Sequence, residues 1–205
     1  MTDNKISGYE RIYLDLAALL PAFDLTGNAP HLGLEPKGEG VLVRFLGRDY
    51  QVDGQGVRAL DGAPAGVNQL SLIAHYAMSP GRGEAASDYL PLRRMTGMVE
   101  GRGTYDRDAI SRPLERVFEG DLEALGRAAA GLDGVAMGRD ESGALVWEFR
   151  AFPKVCLRLA VQEADEEFPA EYRLLFSSNA TDFMEFEALG FLAGVFTTLL
   201  TRTGD

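Results

Sequence analysis

The sequence predicts an α+β fold in which a mostly antiparallel sheet packs against helices, the last of them buried. Three observations carry that prediction. Apolar residues alternate with a period of two over residues 40–52 and again over 145–150, 155–161 and 172–176, each run bounded by turn residues. They recur at spacings of three and four over 9–23 and 67–78, as in helices with one covered face. The stretch 183–200 is apolar almost throughout. The hairpin at 40–53 and the meander at 145–176 are expected to join in one sheet. Residues 1–205 are expected to form one domain that carries a glycine- and arginine-bearing loop segment at 80–104.

Taken in order, Tyr9, Ile12, Tyr13, Leu16, Leu19, Leu20 and Phe23 share a helical face, with Ser7-Gly8 as the start and Pro21 limiting regularity near the end. Residues 24–38, rich in Gly, Pro, Asn and Asp, predict a loop. Val41, Val43 and Phe45 face one way and Leu42 and Arg44 the other, and Gly47-Arg48 permits the reversal into Tyr50 and Val52. Asp53-Gly54 is a second turn signal, which makes a third strand at 57–60 possible. Residues 61–66 form a loop. Leu70, Ile73, Ala74 and Ala77 define a helix over 67–78, which Pro80-Gly81 stops.

Segment 80–104 holds five glycines (81, 83, 97, 101 and 103) and a short candidate strand at 92–99. Two helices follow at 105–118 and 121–130, separated by Glu119-Gly120, with Asp121 able to cap the second and Gly131 beyond its end. Leu145, Trp147 and Phe149, then Val155, Leu157, Leu159 and Val161, then Tyr172, Leu174 and Phe176 give a three-stranded antiparallel meander. Ser177-Ser178-Asn179 ends the sheet and leads to the last helix. There Gly190 and Gly194, four apart, offer a smooth stripe for close backbone contact against the sheet.

The chain has 205 residues, of which 46% are hydrophobic and 25% charged. A domain of this length can bury about 70% of its unfolded surface, enough for a core without disulfides or metal. Its net charge of −11 argues against general binding to nucleic acid or an anionic membrane and favours a soluble cytoplasmic protein. The sole cysteine, Cys156, sits in an apparent strand, where a buried inert thiol is the expectation. No secretory leader is expected from MTDNKISGYERIY. Glu185 and Glu187 leave only residues 188–200 of the last stretch free of charge, short of the ~20 apolar residues a spanning helix needs.

Two regions are candidates for chemistry. Residues 80–116 hold Arg82, Arg93, Arg94, Arg102, Arg107, Arg112 and Arg116 against six acids, so this segment is basic within an acidic chain. Gly101-Arg102-Gly103-Thr104 runs into a predicted helix at Tyr105, where free N–H groups beside an arginine can hold a phosphate or carboxylate. The alternative is a surface loop whose arginines pair with Glu100, Asp106 and Asp108. Glu163, Asp165, Glu166 and Glu167 form an acidic turn that could hold a hard cation or a partner; the alternative is a solvated turn anchored by Phe168 and Pro169. The turn lacks the alternating ligands and glycine of a calcium loop. His75, on a helix, and His31, in a loop, have no second His or Cys at ligand spacing. A P-loop, a dinucleotide fingerprint and a nucleophile elbow are all absent.

Four segments carry a resemblance: FLGRDYQV at 45–52, LIAHYA at 72–77, RPLERVFEGD at 112–121 and FPKVCLRLAVQEADEEFPAEYRLLFSSNATDF at 152–183. Together they resemble the family of bacterial and archaeal proteins called domain of unknown function 3786. The resemblance implies a protein common in anaerobes, some of whose relatives carry a cysteine-rich iron–sulfur domain ahead of this one. With one cysteine this chain lacks such a domain, so a redox or corrinoid-linked role would depend on a partner chain. The function expected is a non-enzymatic binding or accessory module for an anionic small molecule or a protein partner, with Arg93, Arg94, Gly101, Arg102, Gly103 and Tyr105 as candidate ligand residues. The alternatives are a metal-dependent enzyme using Asp165, Glu166 and Glu167, and an interaction subunit without a small ligand. No cofactor is specified.

Overall fold

Local signals that satisfy backbone groups set the element boundaries. In the computed structural model, which describes residues 7–95, 107–164, 166 and 168–203, Ser7 opens helix α1 (Gly8–Leu19) with a capping box. The Ser7 hydroxyl accepts from the Glu10 amide at 3.2 Å, and the Glu10 carboxylate accepts from the Ser7 amide at 2.7 Å. Pro21 then converts the end into a 3₁₀ turn at Leu20–Ala22.

The expected loop at 24–38 is instead structured, as helix α2 (Leu25–Leu32) and strand β1 (Glu35–Lys37). Asp24 accepts from the Gly27 amide at 2.9 Å, and Gly33 closes the helix at φ 67°. The Asp and Gly that suggest a loop are the two caps of a short helix, and Pro30 inside it obscures the apolar period.

Strands β2 (Gly40–Phe45), β3 (Arg48–Asp53) and β4 (Gly56–Ala59) join β1 in a four-stranded antiparallel sheet in sequence order. The β2–β3 turn places Leu46 and Gly47 at φ 45° and 81°, a two-residue reversal that matches strand twist and that glycine favours. A second antiparallel sheet contains β5 (Tyr89–Pro91), β6 (Val135–Arg139), β7 (Leu145–Phe152), β8 (Val155–Gln162) and β9 (Glu171–Ser177), in the order β5-β9-β8-β7-β6.

The hairpin and the meander therefore do not join in one sheet. Strand β6, which the sequence reading did not anticipate, occupies the free edge of β7, and β5 occupies that of β9, so the meander has no edge left for the hairpin. The two sheets meet at a corner, where the Leu46 amide donates to the Ala151 carbonyl at 3.2 Å and the Phe45 ring lies 4.8 Å from Phe152. The candidate strand at 92–99 also differs: Leu92–Arg94 is a 3₁₀ turn behind β5, and residues from 96 onward lie outside the described residues.

The remaining helices are α3 (Val67–Ala77), α4 (Arg112–Phe118), α5 (Leu122–Ala130) and α6 (Phe186–Thr203). A π-helical turn, Arg107–Ser111, leads into α4, and Asp121 caps α5 through the Glu123 and Ala124 amides. One apolar cluster runs through both sheets and helices α2 to α6. At its centre Tyr76 stacks on Phe152 at 4.4 Å, donates its hydroxyl hydrogen to the Leu32 carbonyl at 2.7 Å and accepts from the Lys154 amide at 3.0 Å. A single phenol thus joins α2, α3 and the β7–β8 turn. Leu189, Leu192, Ala193, Phe196 and Leu200 of α6 are fully buried, with Phe196 edge-on to Phe149 at 4.8 Å. Among the described residues no helix is long and apolar enough to cross a membrane.

Candidate functional site

Helix α6 is apolar on more than the face it buries. Its outer side, bearing Gly190, Phe191, Gly194 and Val195, lines a groove of about 1010 Å³ whose other walls are the start of α3, the Leu92–Arg93 turn and Tyr9 of α1. The close contact with the sheet expected of the glycine stripe does not form at Gly194. A Cβ built at Gly194 would meet nothing within 4 Å, so this glycine widens the groove instead of seating the helix. Arg93 and Arg202 bring two guanidinium groups to a lining otherwise dominated by apolar side chains, against one carboxylate from Glu187. Such a surface suits an elongated molecule with an apolar body and a negatively charged group.

Two smaller cavities, about 520 and 180 Å³, lie beneath α1 and share Leu16, His75 and Glu185. The Nδ1 of His75 is buried without a hydrogen-bond partner among the described residues. Burial holds this imidazole below its ordinary value, with the Glu185 charge pulling weakly in the opposite direction. His75 is therefore neutral at neutral pH. Helix α1 roofs these cavities without burying a single residue; Tyr13 Oη ties it to the strands by accepting from the Val57 amide at 3.1 Å.

The residues expected to bind an anion do not assemble as one cluster among those described. Arg93 reaches the groove, and Arg94 beside it is exposed. Arg82 is absorbed structurally: it donates to Asn28 Oδ1 at 3.1 Å and to the Pro80 and Gly81 carbonyls, both at 2.8 Å. Gly101, Arg102, Gly103 and Tyr105 lie outside the described residues, as do Asp165 and Glu167. Glu166 is exposed in its turn, and Glu163 pairs with Arg139 across from β6. Among the described residues, no three His, Cys, Asp or Glu side chains come together as a metal site.

Cys156 is buried, and burial pushes its thiol up, away from the thiolate form that reacts. Beside it, Glu148 accepts from Tyr89 Oη and from Arg158 Nε, each at 2.9 Å, while the Arg158 guanidinium lies 4.0 Å from the Tyr89 ring centre. That network ties the short edge strand β5 to β7 and β8 across the intervening β9.

The groove itself escaped the sequence reading, along with Arg202, Asn68 and Phe191. The available signal was the surplus of apolar residues on α6. A helix that packs one face on a core needs a stripe, and Phe191, Val195 and Leu199 lie outside the stripe that Leu189, Leu192, Phe196 and Leu200 supply.

A family model described as Domain of unknown function (DUF3786) matches residues 24–199, a span that includes the groove-lining parts of α3 and most of α6 and that begins after α1. No curated protein and no solved structure matches the chain.

Proposed function

The chain belongs to the family described as Domain of unknown function (DUF3786), and from that premise we propose that it is a binding module holding an anion with an apolar body between α3, α6 and the Leu92–Arg93 turn. The observation that supports this most is the groove of about 1010 Å³, apolar along α6 and carrying Arg93 and Arg202. Its volume lies at the upper end of ligand pockets, about 300–1,000 Å³. Recognition, not bond-making, is the role assigned: the guanidinium groups fix the charged end, and the helix faces cover the apolar part.

Isothermal calorimetry with octyl phosphate tests it. Octyl phosphate binds saturably, and octanol and octylammonium bind at least tenfold more weakly. Gly194→Leu, whose side chain grows into open space, abolishes binding while the protein stays folded. An Arg93→Gln, Arg202→Gln double variant weakens octyl phosphate about tenfold, which corresponds to about 1.4 kcal/mol. Equal affinity for octanol and octyl phosphate, or unchanged binding by the Gly194 variant, contradicts the proposal.

A second reading, an interaction subunit, draws on Tyr9, Ile12, Leu19 and Phe23 of the N-terminal helical region, each 37% exposed or more, with Phe191 of α6 beside them. Light scattering distinguishes it: a mass that rises to the dimer with concentration supports self-association through this face, and a monomer at millimolar concentration contradicts it.

A further inference from the structure

The cavity of about 180 Å³ beneath α1 differs in charge from the larger groove. Tyr9 of α1 and Phe191 of α6 form one wall, edge to face with ring centres 6.0 Å apart, and Leu72 of α3 contributes to the apolar surface. Among the described residues, the ionisable groups that line it are Tyr9, His75, Glu185 and Glu187, with no lysine or arginine. Neither carboxylate has a hydrogen-bond or ion-pair partner among the described residues. Both sit at the start of α6, where the helix dipole favours negative charge. That accounts for acids at these positions, but not for an aromatic pair and an apolar surface gathered beside them.

We infer that this cavity takes a small primary ammonium with an apolar body, its charge against Glu185 and Glu187 and its body against Tyr9, Phe191 and Leu72. A cation beside aromatic rings gains from their negative faces, and two carboxylates at the same opening select against anions and against neutral molecules of the same shape. The cavity shares Tyr9, Asn68, Glu187 and Phe191 with the groove, but Arg93 and Arg202 line the groove and Glu185 and His75 line the cavity, so probes of opposite charge separate the two proposals.

Titration of the ¹⁵N-labelled protein with benzylammonium chloride, benzyl alcohol and sodium benzoate, followed by amide chemical shifts, tests it. Benzylammonium gives saturable shifts at Ser71, His75 and Ala188 and binds at least tenfold tighter than benzyl alcohol, and benzoate gives no saturable shift there. A Glu185→Gln, Glu187→Gln double variant brings benzylammonium down about tenfold, to the affinity of the alcohol. Tyr9→Leu, at a half-exposed position, serves where the double variant fails to fold, and weakens the ammonium more than the alcohol. Benzoate or benzyl alcohol binding as tightly as benzylammonium, no saturable shift with any of the three, or equal loss of ammonium and alcohol in the Tyr9 variant overturns the inference.

Discussion

Helices α1 and α6 both carry apolar residues at helical spacing, and they touch each other through Tyr9 and Phe191, yet their places in the fold are opposite. Helix α6 buries Leu189, Leu192, Ala193, Phe196 and Leu200 completely, whereas α1 buries none of its residues and leaves Tyr9, Ile12, Leu14 and Leu19 46% exposed or more. A helical period shows which face turns inward but not how deeply. Depth depends on what stands opposite. Helix α6 faces the five-stranded sheet, including Phe149, along with α3 and α5, whereas α1 lies across α3 and the cavities beneath it.

The largest test of this contrast is Phe196→Ala, which removes a fully buried ring from the α6–sheet contact. It costs about 3–5 kcal/mol in denaturant unfolding. Ile12→Ala on α1 costs about 1 kcal/mol or less by the same measurement, because the side chain is already half in water. Similar losses for the two variants would break the comparison. Gly194→Ala sharpens it from the other side. The added methyl meets no neighbour, so the helix gains about 0.5–1 kcal/mol from its better propensity. A loss there would mean that the outer face of α6 is closely packed.

The smallest effect concerns pH and the seam between the two helices. Burial keeps the His75 imidazole below its ordinary value of 6.5, so just below that pH the unfolded chain binds the proton more readily than the folded one. Stability therefore falls as pH drops through the window under 6.5 and is insensitive to this group above it. Among the described residues, the titratable groups that share its cavities from neighbouring elements are Tyr9 of α1, Asp182 and Glu185 ahead of α6, and Glu187 of α6. His75→Gln flattens the slope measured in urea titrations between neutral and mildly acidic pH. An unchanged slope would place the imidazole in solvent.

Much of the architecture was legible in the sequence, because it rests on periodicity and punctuation. The alternation through Val155, Leu157, Leu159 and Val161 locates β8, and Ser7 and Asp121 mark helix starts that the structure caps as expected. The parts that escaped carry weak or ambiguous local signals. Strand β6 is short, exposed along its whole length and bulged between Ala136 and Gly138, so VAMGR carries no sustained alternation. Helix α2 is short and built from residues that also make loops. The separation of the two sheets depends on edge strands too short to predict from their own composition. For the site, Arg93 was legible as part of a basic segment in an acidic chain. The groove it borders arises from α1, α3, the Leu92–Arg93 turn and α6, which are distant in sequence, and no local pattern announces that meeting.

Amide hydrogen exchange of the intact protein under native conditions, resolved by residue, tests the central contrast most directly. Amides of α1 should exchange through local opening, orders of magnitude faster than those of α6 and with little dependence on low concentrations of denaturant, while the slowest α6 amides exchange only through global unfolding. Protection of α1 equal to that of α6 would contradict the account, because it would make α1 part of the same cooperative core.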